Sequence, residues 1–292
     1  VPTLCLNSSM FKTFSTTEKK NLNHSGRSHI GETLQIEGDL RSSGSVDVSG
    51  LINGNVFVSE IIIKDLGQRS YKEVLNRQKK MQQQRIDKEI YDTLILVEHE
   101  PVYTLGKNAS MNHLLQSRDK SVGVFNIERG GDITFHGPGQ LVGYPLLELE
   151  GKRGGGMADT AAYIYSIESL LIETCQELGI KKIGRIKRYP GVWVDPDGPD
   201  PRKIAAIGVR LNKARTMHGF ALNVKTDMTF YEHIVPCGIT EYGVTSLEKE
   251  GIDTTMREVV DLISEKAGRI WSRKKVNRAD ASWGEDTGIE NL

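Results

Sequence analysis

The sequence predicts an α/β fold of the α+β kind with a mixed sheet, preceded by a short β-solenoid-like or disordered N-terminal extension. Three observations predict it. Strand-like segments crowd the middle of the chain, from TLILVEHE to MHGFALNV. Helical periodicity appears on both sides of them, which favours helices packed on a sheet. Near the N-terminus, glycines recur every six residues at Gly38, Gly44 and Gly50, the punctuation of a strand-and-turn repeat.

Composition bounds the function before any motif is considered. The chain has 292 residues, 38% of them hydrophobic, with 38 basic and 38 acidic side chains. That is the make-up of a soluble globular protein. The balanced charge gives no overall attraction to nucleic acid or to an anionic membrane. No apolar run reaches the roughly 18 residues that would cross a bilayer. The first twenty residues carry lysines but no apolar stretch of the signal-peptide kind. Cysteine occurs only as Cys5, Cys175 and Cys237. An odd and sparse count suits free thiols in a reducing compartment, here the cytoplasm.

In chain order, residues 1–28 are polar and aperiodic and are expected to form a disordered lead. Residues 29–63 change texture, with Ile36, Leu40, Val46, Val48, Ile52, Val56 and Val58 alternating between the glycines. This stretch resembles the bactofilins, bacterial cytoskeletal proteins that polymerise as β-helices. It is short for that family, since fewer than two coils cannot bury a solenoid core, and a short β-meander is the alternative. Residues 64–275 then form one domain, and 276–292 a loose tail. Within the domain, 70–90 is a charged helix with Tyr71, Val74, Leu75, Gln78 and Met81 near helical spacing. TLILVEHE is a buried strand ended by a turn at Pro101. Residues 158–178 form a periodic helix with Ile164, Ile167, Leu171, Cys175 and Leu178 on one face. Asp159 caps its start and Gly179 stops it. Strands GVWVDP, KIAAIGVRL and MHGFALNV follow, and TTMREVVDLISEKAGRIW makes a last amphipathic helix.

Chemistry concentrates in three segments. In ERGGDITFHGPGQLVGYPLLEL, five glycines let backbone N–H groups approach a ligand, and Arg129 and His136 add polar side chains. It is neither a Walker loop nor a dinucleotide fingerprint, because GKS or GKT is absent and no helix follows. A purely structural glycine turn is its alternative. In RKIAAIGVRLNKARTMHGFALNV, Lys203 begins an apolar strand, where most lysines are merely solvated. The small residues Ala205, Ala206, Gly208, Gly219 and Ala221 leave room for a long, slender ligand. In HIVPCGITEYGVTSL, Cys237 sits in a Pro-Cys-Gly turn. Cys175 lies on the core face of a helix, where a thiol behaves as a small hydrophobe. A thiol of reference pKa near 8.5 needs a positive neighbour to react at neutral pH. That requirement draws attention to Lys203, His136 and Arg129.

Five ordered motifs, RGGDITFHGPGQ, GVWV, KIAAIG, HGFALN and PCGI, resemble those of the lipoyl(octanoyl) transferases across about residues 61–275. The resemblance implies a biotin/lipoate protein ligase-like fold. It also implies that Cys237 takes an octanoyl group from octanoyl-acyl carrier protein as a thioester, with Lys203 beside it as acid and base. By the same resemblance, substrate is bound by Arg129, Gly130, Gly131, Asp132, Ile133, Thr134, Phe135 and His136, by Ala206, Ile207 and Gly208, and by Gly219, Phe220 and Ala221. The acceptors it implies are lysines on lipoyl domains of 2-oxoacid dehydrogenase complexes and on the glycine cleavage H protein. Neither a cofactor nor a metal is required, since thioester to amide runs downhill. The N-terminal extension is foreign to the family. Rival expectations are an ATP-dependent lipoate or biotin ligase, a scaffold carrying an inert domain, and a papain-type hydrolase, each a poorer match to the Cys–Lys pair. Lys182, Arg185, Lys187 and Arg188 form a basic run that is a candidate docking face for an acidic carrier, with a solvated loop as the alternative.

Overall fold

The computed structural model describes residues 60–151, 157–273 and 275–278, and the backbones of six three-residue strands between residues 28 and 58. These are β1 (Ser28–Ile30), β2 (Gln35–Glu37), β3 (Leu40–Ser42), β4 (Val46–Val48), β5 (Leu51–Asn53) and β6 (Val56–Val58). They pair in parallel, β1 with β4, β2 with β5 and β3 with β6. That is the pairing order of a three-sided solenoid wound through two coils, where the sequence pattern counts fewer than two. The glycine period begins at Gly38 and so leaves out β1 and β2. The expected disordered lead, apart from Ser28, and the tail beyond Arg278 lie outside the described residues.

The expected boundary at residue 63 falls inside a strand, β7 (Glu60–Arg69), because Ile61 and Ile63 belong to the main core. After β7 come α1 (Tyr71–Ile86), β8 (Asp92–His99), β9 (Val102–Leu105), β10 (Gly123–Asn126), β11 (Ile133–His136) and β12 (Gln140–Leu146). Then follow α2 (Thr160–Glu177), β13 (Ile183–Ile186), β14 (Tyr189–Val194), β15 (Arg202–Asn212), β16 (Arg215–Asn223), β17 (Gly243–Val244), α3 (Met256–Ile270) and β18 (Lys275–Arg278). The expected loose tail thus starts as β18, an edge strand parallel to β7.

The main sheet runs β13-β14-β15-β16-β12-β8-β7-β18, with β17 beside β15. It mixes antiparallel pairs with the parallel pairs β7–β8, β7–β18 and β15–β17. Side chains alternate across its faces as strand geometry requires. Leu94 and Leu96 join the core under α2 and α3, while Ile95 and Val97 join a second cluster with Val74 and Met81 of α1. Asp159 caps α2 by accepting from the Ala162 N–H at 3.0 Å, and Gly179 ends it at φ +110°. The start of α3 carries a full capping box between Thr255 and Glu258. A small sheet, β10-β9-β11, stands apart from the main one. Among the described residues, no helix is long and apolar enough to cross a membrane.

Candidate active site

A cavity of about 500 Å³ opens where the 129–132 loop, β15, β16 and the Pro236–Gly238 turn converge, and both Cys237 and Lys203 line it. Apolar walls come from Val142, Ile207, Val209, Phe220 and Ala221, and the guanidinium of Arg129 lies among the lining groups.

Lys203 is brought there by local sheet geometry. It is the second residue of β15, opposite Trp193, where a register shift interrupts the β14–β15 ladder. Its Nζ donates to the Pro190 carbonyl at 3.2 Å and sits 4.7 Å from the Trp193 ring centroid, a cation–π contact. The aliphatic stem passes over Gly191 at φ +132°, where an added Cβ would lie 3.3 Å from the lysine Cε and 2.6 Å from the Ala205 carbonyl oxygen. A side chain at 191 would therefore collide with the Ala205 backbone and crowd the lysine stem. Lys203 is buried.

Cys237 occupies the middle of a Pro-Cys-Gly turn and has φ +56° and ψ +16°. A left-handed conformation in a non-glycine residue costs on the order of 1–3 kcal/mol and persists where the surroundings over-determine it. Two short bonds close the turn, Gly238 N–H to the Val235 carbonyl and Ile239 N–H to the Pro236 carbonyl, both at 3.0 Å. Gly238 follows at φ +70°, and a Cβ there would come within 2.7 Å of the Asp132 Oδ2. Only glycine satisfies both conditions.

Arg129 is almost wholly buried and donates through Nη2 to the Thr104 carbonyl at 2.7 Å and to Thr104 Oγ1 at 3.0 Å. Burial pushes its pKa down, and the thiol of Cys237 is the largest opposing influence. The loop that carries it is held by Gly130 N–H donating to the Val209 carbonyl at 3.0 Å. Period-two alternation puts the Ile207 N–H on the same edge of β15 as that carbonyl. The pairing with β14 has ended by then, its last pair being Val192 with Ala205.

His136 does not supply the positive charge that the sequence suggested. Burial lowers its pKa to about 3, its Nδ1 meets Gln140 Oε1 at 2.8 Å, and its ring lies parallel to that of Tyr71. His218, also lining the cavity, is lowered to about 3 by burial and then by Arg129. Both rings are neutral near pH 7, so among the described residues Arg129, Lys203 and Arg188 are the cationic side chains around the cavity.

Of the residues implied by the motifs, Arg129, Gly130, Gly131, Asp132, Thr134 and His136 line the cavity, as do Ala206, Ile207, Gly208, Gly219, Phe220 and Ala221. Ile133 and Phe135 do not. They alternate to the opposite face of β11 and enter the core of the small sheet, where Phe135 stacks on Phe230 at 4.4 Å. Ala205 likewise faces the main core. Gly208 and Gly219 do not simply leave room for a ligand. A Cβ at 208 would lie 2.8 Å from Arg129 Cδ, and one at 219 would lie 2.1 Å from the Gly143 carbonyl oxygen. Of the basic run, Lys182 pairs with Asp195 and Arg185 with Glu168, while Arg188 reaches the cavity.

Three groups given no role by the sequence stand behind the site. Gln140 Nε2 donates to Asn223 Oδ1 at 2.9 Å and to the Tyr231 hydroxyl at 3.1 Å. Burial, with Cys237 second, pushes the Tyr231 pKa up to about 12. Gln140 and Asn223 end two of the quoted motifs, so the spacing pointed to them although no chemistry singled them out.

Residues 70–268 match the lipoyl protein ligase A/B catalytic domain. The chain belongs to that family. An octanoyltransferase of Acidobacterium capsulatum is 40% identical over 222 residues, covering 72% of this chain and 89% of that protein. One from Solibacter usitatus is 41% identical, covering 72% and 92%. Among solved structures, the bipartite lipoate protein ligase of Thermoplasma acidophilum superimposes with a TM-score of 0.58 at 13% identity, covering 76% of this chain and 86% of that one. At that identity the likeness shows the lipoate-ligase fold alone. Membership beside relatives of about 40% identity makes this lipoyl ligase A/B family protein an acyltransferase.

Proposed function

We propose that the protein moves an octanoyl group from octanoyl-acyl carrier protein, through a thioester on Cys237, to the ε-amine of a lysine on lipoyl domains. Octanoyl transfer is the activity that its relatives' names carry. The observation supporting the covalent route is one cavity that holds a thiol on a strained turn together with two cationic side chains, Arg129 and Lys203.

The Cys237 sulfur attacks the donor carbonyl as a thiolate, and the carrier's sulfur leaves and takes its proton from the Lys203 ammonium, which becomes the free amine. The Ile207 N–H, on the open edge of β15, and the Arg129 guanidinium are the donors that would meet the developing oxyanion. Such preorganised donors are worth about 3–4 kcal/mol. The acyl chain lies along the apolar walls in a cavity whose volume of about 500 Å³ falls within the roughly 300–1,000 Å³ of small-ligand sites. In the second half, the acceptor amine attacks the thioester, its proton passes to Lys203 as the free amine, and Cys237 leaves as thiolate. The acceptors in this scheme are lipoyl domains of 2-oxoacid dehydrogenase complexes and the glycine cleavage H protein.

The test is intact mass after incubation with octanoyl-acyl carrier protein without ATP. An octanoyl adduct labile to hydroxylamine on the wild type, and absent from Cys237→Ala, supports the scheme. An equal adduct on both proteins, or acylation only with free octanoate and ATP, overturns it.

A further inference from the structure

We propose that His113 and Asp132 act together as a positioning pair that holds the Cys237 turn in its left-handed conformation; the proposal rests on Cys237 being the acylated residue. His113 lies far from the motif segments, at the end of a short helical turn, Met111–His113. The structure nonetheless joins it to the cysteine turn through both backbone and side chain.

The backbone link is a short antiparallel contact. Leu114 bridges Ile234, the Leu115 N–H donates to the His233 carbonyl at 2.9 Å, and the Val235 N–H donates to the His113 carbonyl at 2.9 Å. Val235 is the residue immediately before Pro-Cys-Gly, so His113 fixes where the turn begins. The side-chain link fixes where it ends. His113 Nδ1 meets Asp132 Oδ2 at 2.6 Å, and the other carboxylate oxygen of Asp132 accepts from the Ile133 N–H at 2.6 Å. The same Oδ2 stands 2.7 Å from the position of a Cβ on Gly238, and the His113 Cε1 stands 3.4 Å from it. The hydrogen-bonded side chains therefore pack directly on the α-carbon that follows Cys237, while the backbone of His113 grips Val235, two residues before the cysteine.

This assigns Asp132 a partner other than substrate. Its two carboxylate oxygens are engaged by His113 and by Ile133 N–H. Its face toward the cavity is shared with Gly238. The Cys237 backbone cannot relax toward the right-handed region without moving Gly238 into the carboxylate or Val235 off the His113 carbonyl. A relaxed turn points the sulfur elsewhere, and displacement of a reacting group by about 1 Å is worth roughly a hundredfold in rate.

The experiment compares His113→Ala, His113→Asn, Asp132→Asn and the His113→Ala/Asp132→Asn double variant in the full chain. It follows the rate of octanoyl adduct formation on Cys237 and steady-state transfer with octanoyl-acyl carrier protein as donor. His113→Asn keeps an amide donor near the Nδ1 position. The expected result is a fall in kcat of about 10–100-fold for His113→Ala, with the donor KM within about twofold. The double variant is then no worse than the weaker single variant, as for two residues acting as one unit, and His113→Asn recovers to within a few-fold of wild type. Wild-type kcat in His113→Ala overturns the proposal. So does a rate loss matched by loss of folded protein in circular dichroism, failure of His113→Asn to recover, or additive losses in the double variant. If Cys237→Ala still acquires the adduct, the underlying assignment of the nucleophile fails instead, whatever the His113 variants do.

Discussion

Cys175 and Cys237 place the same thiol on opposite sides of this molecule's chemistry. Cys175 points from α2 into the core beneath the main sheet, fully buried among aliphatic side chains, and burial alone pushes its pKa up to about 12. Cys237 stands half-buried on a left-handed turn at the wall of a cavity that also holds Arg129 and Lys203. The comparison separates what makes a thiol stable from what makes it usable. A regular helix satisfies the backbone around Cys175 and surrounds the sulfur with hydrocarbon, so the thiolate has no stabilising partner. The Cys237 turn gives up backbone comfort and receives exposure and cationic neighbours.

The comparison can be broken at several points. The largest effect is expected from Cys237→Ala, which should lower octanoyl transfer by at least about 10³-fold while leaving the thermal midpoint nearly unchanged. A steady-state assay beside a melting curve checks it. Lys203→Met removes the amine that the scheme uses as base and should lower kcat by roughly 10²–10⁴-fold, measured in the same assay. Next comes acidification, which acts on the buried histidines. His99 is lowered to about 4, and His136 and His218 to about 3, all chiefly by burial. Each is depressed below its unfolded value near 6.5, so its stabilising effect is complete above that pH and is lost as pH falls towards 4 and 3. Each should weaken the fold by roughly 3 kcal/mol by pH 4, seen as a falling urea midpoint. The smallest effect belongs to Cys175→Ala, which should lose roughly 1–2 kcal/mol of stability and keep its kcat. Iodoacetamide with peptide mapping sharpens the contrast, since native protein should be labelled at Cys237 and not at Cys175.

A second contrast runs along a single strand. In β11, Thr134 and His136 line the cavity, whereas Ile133 and Phe135 fill the core of the small sheet. A motif quoted as a continuous string cannot make that distinction, but strand periodicity does once the segment is known to be extended. The same alternation removes Ala205 from the site and keeps Ala206. His136 illustrates the other limit. Its residue type suggested a charged partner for the thiol, and only its burial beside Tyr71, His99 and Gln140 reveals that it is neutral.

The sequence by itself determined the fold class, the helix limits at Asp159 and Gly179, the glycine-punctuated strands near the N-terminus, and the singling out of Cys237 and Lys203. Each of these is written in local periodicity, in a cap or in a motif spanning a few residues. Tertiary structure alone decided that Lys203 reaches the cavity past Gly191, that Ile61 and Ile63 belong to the main sheet, and that His113 and Asp132 meet beside Gly238. It also decided which histidines are buried deeply enough to lose their charge. The physical reason is that desolvation and side-chain contact depend on neighbours brought from distant parts of the chain, and no local pattern encodes those neighbours.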